Sequence, residues 1–333
     1  MISLPILAPE SVRRITLSNG LTVLLRREES APVVAIVTYV KAGYFDETDG
    51  VAGIAHVLEH MYFKGTERRG VGEISKETKA AGGYLNAGTI YDHTSYYTVL
   101  PSSSFARGLE IQADAYAASV IDAGELRKEL EVIVQETKRK ADNPGAVTVE
   151  TLYEVLHDRH RMRRWRIGQE VGLRALTRDD VVRFYRTYYQ PGNTILTIVG
   201  DVDLDDALRN VERLYGGLTN SCFTRDRGPR ETGHPGFRYR ELHGDVAQSQ
   251  LAFGWRTLPS AHFDTPLLDL AATVLGAGRA SRLYRAVRER KLAASVSAFN
   301  YSQTELGVFV IHAEGPPDKL VDAARGAWAQ LLD

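Results

Sequence analysis

The chain is poor in the features that would set it apart from ordinary folded proteins. It carries one cysteine, Cys222, in 333 residues. No disulfide can therefore close within it, and a lone thiol in a polar segment fits a reducing compartment. No stretch approaches the roughly 18 apolar residues that a membrane-spanning helix needs. The opening residues Met1-Ile2-Ser3-Leu4-Pro5 lack the charged-then-apolar layout of a secretion signal. Neither sign of charge is in excess, since the formal net charge is −1. No basic patch interleaved with aromatics marks a nucleic-acid surface. The expectations are no membrane, no nucleic acid and a cytoplasmic location, with periplasm or an organelle left open. What remains is 44% hydrophobic and 25% charged residues, the balance of a folded protein with a sizeable core. The length suggests two domains.

Against that background one motif stands out. His56-Val57-Leu58-Glu59-His60 reads H-x-x-E-H within the apolar run 51–61. On a helix, residues four apart share a face, so both imidazoles can reach one metal ion. Glu59 flanks the same spot without having to be a ligand. Two neutral imidazoles and a carboxylate beside an open position make a catalytic zinc site, and H-x-x-E-H is the inverted form of the H-E-x-x-H zinc signature.

The motif and its surroundings resemble the insulinase/pitrilysin family of zinc metallopeptidases, M16, and within it the processing-peptidase-like members. Further blocks carry the resemblance in order: Ser18-Asn19-Gly20-Leu21-Thr22-Val23, then Gly82-Gly83-Tyr84-Leu85-Asn86-Ala87-Gly88-Thr89 with His93-Thr94-Ser95-Tyr96-Tyr97. Asp142-Asn143-Pro144, Arg166-Ile167-Gly168, Tyr188-Tyr189-Gln190-Pro191-Gly192-Asn193 and Val199-Gly200-Asp201-Val202 follow. The matched blocks span residues 12 to 315. The resemblance implies a third ligand far downstream, at Glu136, with Glu129 as its partner behind the metal. Two helical turns separate these glutamates, so they share a face. It also implies Zn2+ as cofactor, Glu59 as the catalytic base, and a substrate-holding edge at Leu85, Asn86, Ala87 and Thr89.

The implied fold is α+β: two similar α/β-sandwich domains, each a mixed or antiparallel sheet with helices packed on it. The catalytic domain is expected over 1–190 and a second, metal-free and C-terminally short domain over 191–333. Strands are expected at 21–25, 33–40, 84–89, 95–100, 194–199 and 248–255 from their Val, Ile and Thr content and bounding turn residues. Helices are expected at 51–63, 74–81, 105–119, 123–140 and 266–275, and one opening at the Thr177 N-cap with an acidic first turn. Residues 216–237 read as a linker. The strand–helix order at 248–275 echoes that at 33–61 without the histidines. The basic run 159–166 reads first as a solvated loop and second as a contact for acidic peptide or a partner subunit. Gly276-Ala277-Gly278 lacks the spacing of a phosphate loop and reads as a structural turn.

Family members that grip substrate do so with an Arg/Tyr pair from an opposing half. Here Ala294 stands where a tyrosine is frequent, and the last amphipathic helix, with Leu320, Ala324, Ala327, Trp328 and Leu331, has no strand after it. The expected active form is therefore a homodimer or heterodimer closing around a peptide. Two readings stay open beside the peptidase: a catalytically dependent or non-catalytic subunit of a heterodimeric complex, and a metal hydrolase with a smaller amide substrate.

Overall fold

The computed structural model describes residues 11–233 and 236–332. By contact, the chain forms two compact units. The first comprises residues up to Val134 together with Arg166–Arg227, and the second Gln135–Trp165 together with residues from Gly228 onward. The boundary expected at residue 190 falls inside the first unit. The reason is β6 (Thr194–Gly200), a late strand that inserts between β2 (Thr22–Arg27) and β3 (Val33–Val40).

The first sheet adds β1 (Arg13–Thr16), β4 (Tyr84–Thr89) and β5 (Thr94–Pro101), in the order β1-β2-β6-β3-β5-β4. Only β2 and β6 are parallel. The strands alternate as a half-buried sheet should: Val34, Ile36, Thr38 and Val40 of β3 are buried while their neighbours are partly exposed. The buried face carries α1 (Ile54–Met61), α2 (Glu73–Ala80), α3 (Phe105–Ala118) and the first part of α4 (Ala123–Ala141). Further round the same core come α6 (Glu170–Ala175), α7 (Arg178–Tyr188) and α8 (Leu204–Tyr215). The expected Thr177 cap is present as a capping box, with Thr177 Oγ1 accepting from the Asp180 N–H and the Asp180 carboxylate accepting in return.

The second unit holds α5 (Pro144–Leu156) and an antiparallel sheet of β7 (Ser249–Thr257), β9 (Gly307–Gly315) and β8 (Ser295–Ser302), in that order. Leu152 and Leu156 of α5 lie against Gly254 on one face of β7. Leu251, Phe253 and Trp255, on the other face, pack into a core with α9 (Thr265–Gly276) and α10 (Leu320–Leu332). Trp328 stacks on Trp255 with centroids 6.3 Å apart. Residues 218–233 carry no helix or strand, in line with the linker reading.

The basic run departs from expectation. His160, Arg161 and Met162 are buried, and a 3-10 turn spans Arg161–Arg163. The Glu231 carboxylate accepts from the backbone N–H groups of Asp158, Arg159 and His160. Three convergent backbone donors draw in an anion, so this loop is folded inward and not solvated. Among the described residues, no helix is long and apolar enough to cross a membrane.

Candidate metal centre

Helix α1 is shorter than the apolar pattern suggests, because both ends are set by non-helical features. At its start Gly53 adopts φ +97, and a Cβ there would meet the Ile167 carbonyl oxygen at 2.3 Å, so only glycine fits. The buried Glu47 carboxylate accepts from the N–H of Gly53 (2.9 Å) and of Ala55 (3.0 Å). These are two of the orphan donors at a helix N-terminus, where the helix dipole also favours an anion. At the other end Tyr62 stacks on Tyr96 of β5, with ring centroids 3.6 Å apart. Six of the eight helical residues are buried, so α1 is held like a core element while its histidines face one direction.

His56 and His60 lie side by side, with ring centroids 4.7 Å apart. Helix α4 is one continuous element, and it brings both glutamates to the same side. One ligand atom each from His56, His60 and Glu136 fall within 4.8 Å of one another. Among the described residues this is the one cluster of three or more such side chains that could hold a metal ion. Glu129 lies behind: its Oε2 is 3.1 Å from His60 Nδ1 and its Oε1 2.6 Å from Lys64 Nζ. Burial raises the Glu129 carboxyl, but the Lys64 ammonium and His60 outweigh it and hold the group below its ordinary range. An ionised Glu129 favours the His60 tautomer that carries its proton on Nδ1, which leaves Nε2 as the ring's ligand atom. The donor set of two imidazoles and one carboxylate therefore fits a zinc ion with an open position.

Glu59 points elsewhere, toward the sheet. The Thr89 hydroxyl of β4 donates to Glu59 Oε2 at 2.5 Å. The remaining residues of the expected substrate edge lie on β4, the terminal strand of the first sheet. Leu85 and Ala87 pack toward the core, Asn86 is exposed, and the Ala87 N–H donates to Asn86 Oδ1 at 2.8 Å. The structure thus gathers His56, Glu59, His60, Glu129, Glu136 and Thr89 in one region. Reading the sequence missed Glu47 and Lys64. Lys64 stands four residues after His60, a spacing that was available as a signal. Glu47 had none, because its cap acts across a loop.

The comparisons with known proteins bear on this geometry. Residues 22–167 match the family described as Insulinase (Peptidase family M16), and 175–333 match the family described as Peptidase M16 inactive domain. An uncharacterized zinc protease of Rickettsia felis is 32% identical over 306 residues, which cover 91% of this chain and 73% of that protein. The chain belongs to peptidase family M16. A probable mitochondrial-processing peptidase subunit beta of Arabidopsis thaliana is 27% identical over 326 residues, 95% of this M16 chain and 61% of the relative. The crystal structure of a protease from Helicobacter pylori superposes with a TM-score of 0.92 at 28% identity, covering 96% of this chain and 79% of that one.

Proposed function

We propose that this M16 chain is a zinc-dependent endopeptidase acting on extended peptides or unfolded polypeptides. The observation that carries the reading is the convergence of His56, His60 and Glu136 within 4.8 Å, beside a separate carboxylate, Glu59, that is not part of the donor set. His56, His60 and Glu136 would hold the ion, with Glu129 orienting His60. A bound zinc ion supplies Lewis acidity, polarising a carbonyl and making nearby water more acidic. Glu59 takes the proton of the attacking water and later delivers it to the leaving amine. Buried Met61 and Tyr62, the latter stacked on Tyr96 of β5, anchor the end of α1 in the core.

The outer edge of β4 would receive substrate by strand addition, where backbone bonds give affinity whatever the side chains. Leu85, Ala87 and Thr89 line that edge, and Asn86 must release the Ala87 N–H to an incoming strand. Replacing Ala87 with Pro removes that donor. KM should rise with kcat little changed, and an unaltered KM would remove the edge from the mechanism. Closure around the peptide would come from a second M16 half, as a homodimer or a heterodimer.

The same geometry suits a subunit that depends on a partner for turnover. Two observations favour this second reading: a relative is named as a subunit, and residues 175–333 match an inactive domain. Zinc content and cleavage of a quenched fluorescent peptide, measured for the parent chain beside Glu59→Gln, separate the two. Bound zinc with cleavage that disappears in Glu59→Gln supports a self-sufficient peptidase. Bound zinc with no cleavage in either supports the dependent subunit. Absence of zinc from the parent chain defeats both.

A further inference from the structure

We propose that Thr89 is the positioning residue of Glu59, and that residues 43–47 hold the two in register. This rests on the reading of Glu59 as the base. A glutamate on an eight-residue helix has three rotatable side-chain bonds, and a base must present one oxygen in one place. The Thr89 hydroxyl donates to Oε2 and restricts that freedom. It does so as a neutral donor. Glu129, in contrast, is held by the Lys64 ammonium.

Thr89 is itself part of the sheet. It forms the last rung of the β4–β5 pairing, opposite Thr94. Each hydroxyl has one proton. Thr94 donates its own to the Ala42 carbonyl at 2.9 Å, so the Thr89 proton is left for Glu59, and the 3.3 Å approach of the two hydroxyls is a packing contact. The turn beyond that rung is tied down by backbone bonds from Tyr44 N–H to the Ile90 carbonyl (3.0 Å) and from Phe45 N–H to the Tyr91 carbonyl (2.8 Å). Gly43 allows this approach, since a Cβ there would lie 2.1 Å from the Ile90 oxygen. Four residues after Gly43, Glu47 caps α1. One five-residue segment thus fastens the hairpin that carries Thr89 to the helix that carries Glu59.

Thr89→Val keeps the shape and the strand propensity but loses the donor, and Thr89→Ser keeps the donor. With Thr89→Val we expect kcat to fall roughly 100-fold, the cost of a misplaced catalytic group, with KM, zinc stoichiometry and melting temperature unchanged. Thr89→Ser should recover most of the rate. In a Glu59→Gln background, Thr89→Val should have no further effect. A Thr89→Val enzyme with parental kcat, while Glu59→Gln is inactive, overturns the positioning role and leaves the base intact. Full activity in Glu59→Gln overturns the base itself. Crystal structures of the two Thr89 variants give a readout without turnover. We expect the Glu59 carboxylate displaced or in several rotamers in Thr89→Val and fixed in Thr89→Ser. A single unmoved rotamer in Thr89→Val also overturns the proposal.

Discussion

The second sheet, β7-β9-β8, has the same order and antiparallel sense as the β3-β5-β4 half of the first. In each unit, in chain order, a helix follows the first of these three strands and another follows the last: α1 after β3 and α3 after β5 in one, α9 after β7 and α10 after β9 in the other. The chemistry differs because the helix after the first strand is treated differently. Helix α1 is sunk in the core and capped by a buried carboxylate, with His56, Glu59 and His60 projecting from it. Helix α9 has no side-chain cap bond and leaves Leu267, Leu270 and Val274 exposed. A shared topology thus supports a reactive centre only where helix placement is over-determined by tertiary bonds.

The comparison breaks most directly at the histidines. His60→Ala should lower zinc affinity by more than about 100-fold, beyond the range for losing a supporting partner. His312→Gln, in β9 of the second unit, should leave zinc content as it is. Metal analysis after dialysis checks both, and a loss of zinc in the second variant would contradict the assignment of the ligands to α1 and α4.

Acid should act next, most strongly through a buried histidine of the second unit. Burial pushes the His157 imidazole down to about 4, and its Nε2 has no hydrogen-bond partner among the described residues. The folded value lies below the ordinary histidine value of about 6.5, so the unfolded chain binds the extra proton between the two. Stability from the neutral form is complete above pH of about 6.5 and is lost as pH falls to about 4, a total of about 3 kcal/mol. Denaturant midpoints measured across that window should show this slope, and His157→Gln should flatten it. An unchanged slope would remove His157 as the cause.

The caps should differ in the same direction. Glu47→Ala strips two buried N–H groups of α1 and should cost about 2–3 kcal/mol. Asp264→Ala at the start of α9, where the side chain makes no cap bond, should cost less than about 0.5 kcal/mol. Smaller still is the contrast between glycines. Gly53→Ala combines left-handed strain with the Ile167 clash and should cost about 2 kcal/mol. Gly278→Ala, at φ +74 with open space around it, should cost only the strain, about 1 kcal/mol. Thermal melts of the four variants rank these effects.

Much of the fold was legible because it is local. Strands such as β3 and β5 and helices such as α3 and α4 declare themselves by alternation, periodicity and caps. The ends of α1 were misjudged by two or three residues, since Gly53 and Glu47 act through contacts that periodicity does not contain. The basic run was misread because Glu231, some seventy residues later, turns it inward.

By itself the sequence determined that His56 and His60 share one helical face, and that Glu129 and Glu136 share another, since both follow from 3.6 residues per turn. The M16 resemblance was likewise written in the residues. Only the tertiary structure decided that Glu136 approaches the histidines, that Lys64 and His60 meet on Glu129, and that Thr89 reaches Glu59. It alone placed β6 between β2 and β3. Each of these depends on which distant segments the closing chain brings within bonding distance, and no local pattern encodes that choice.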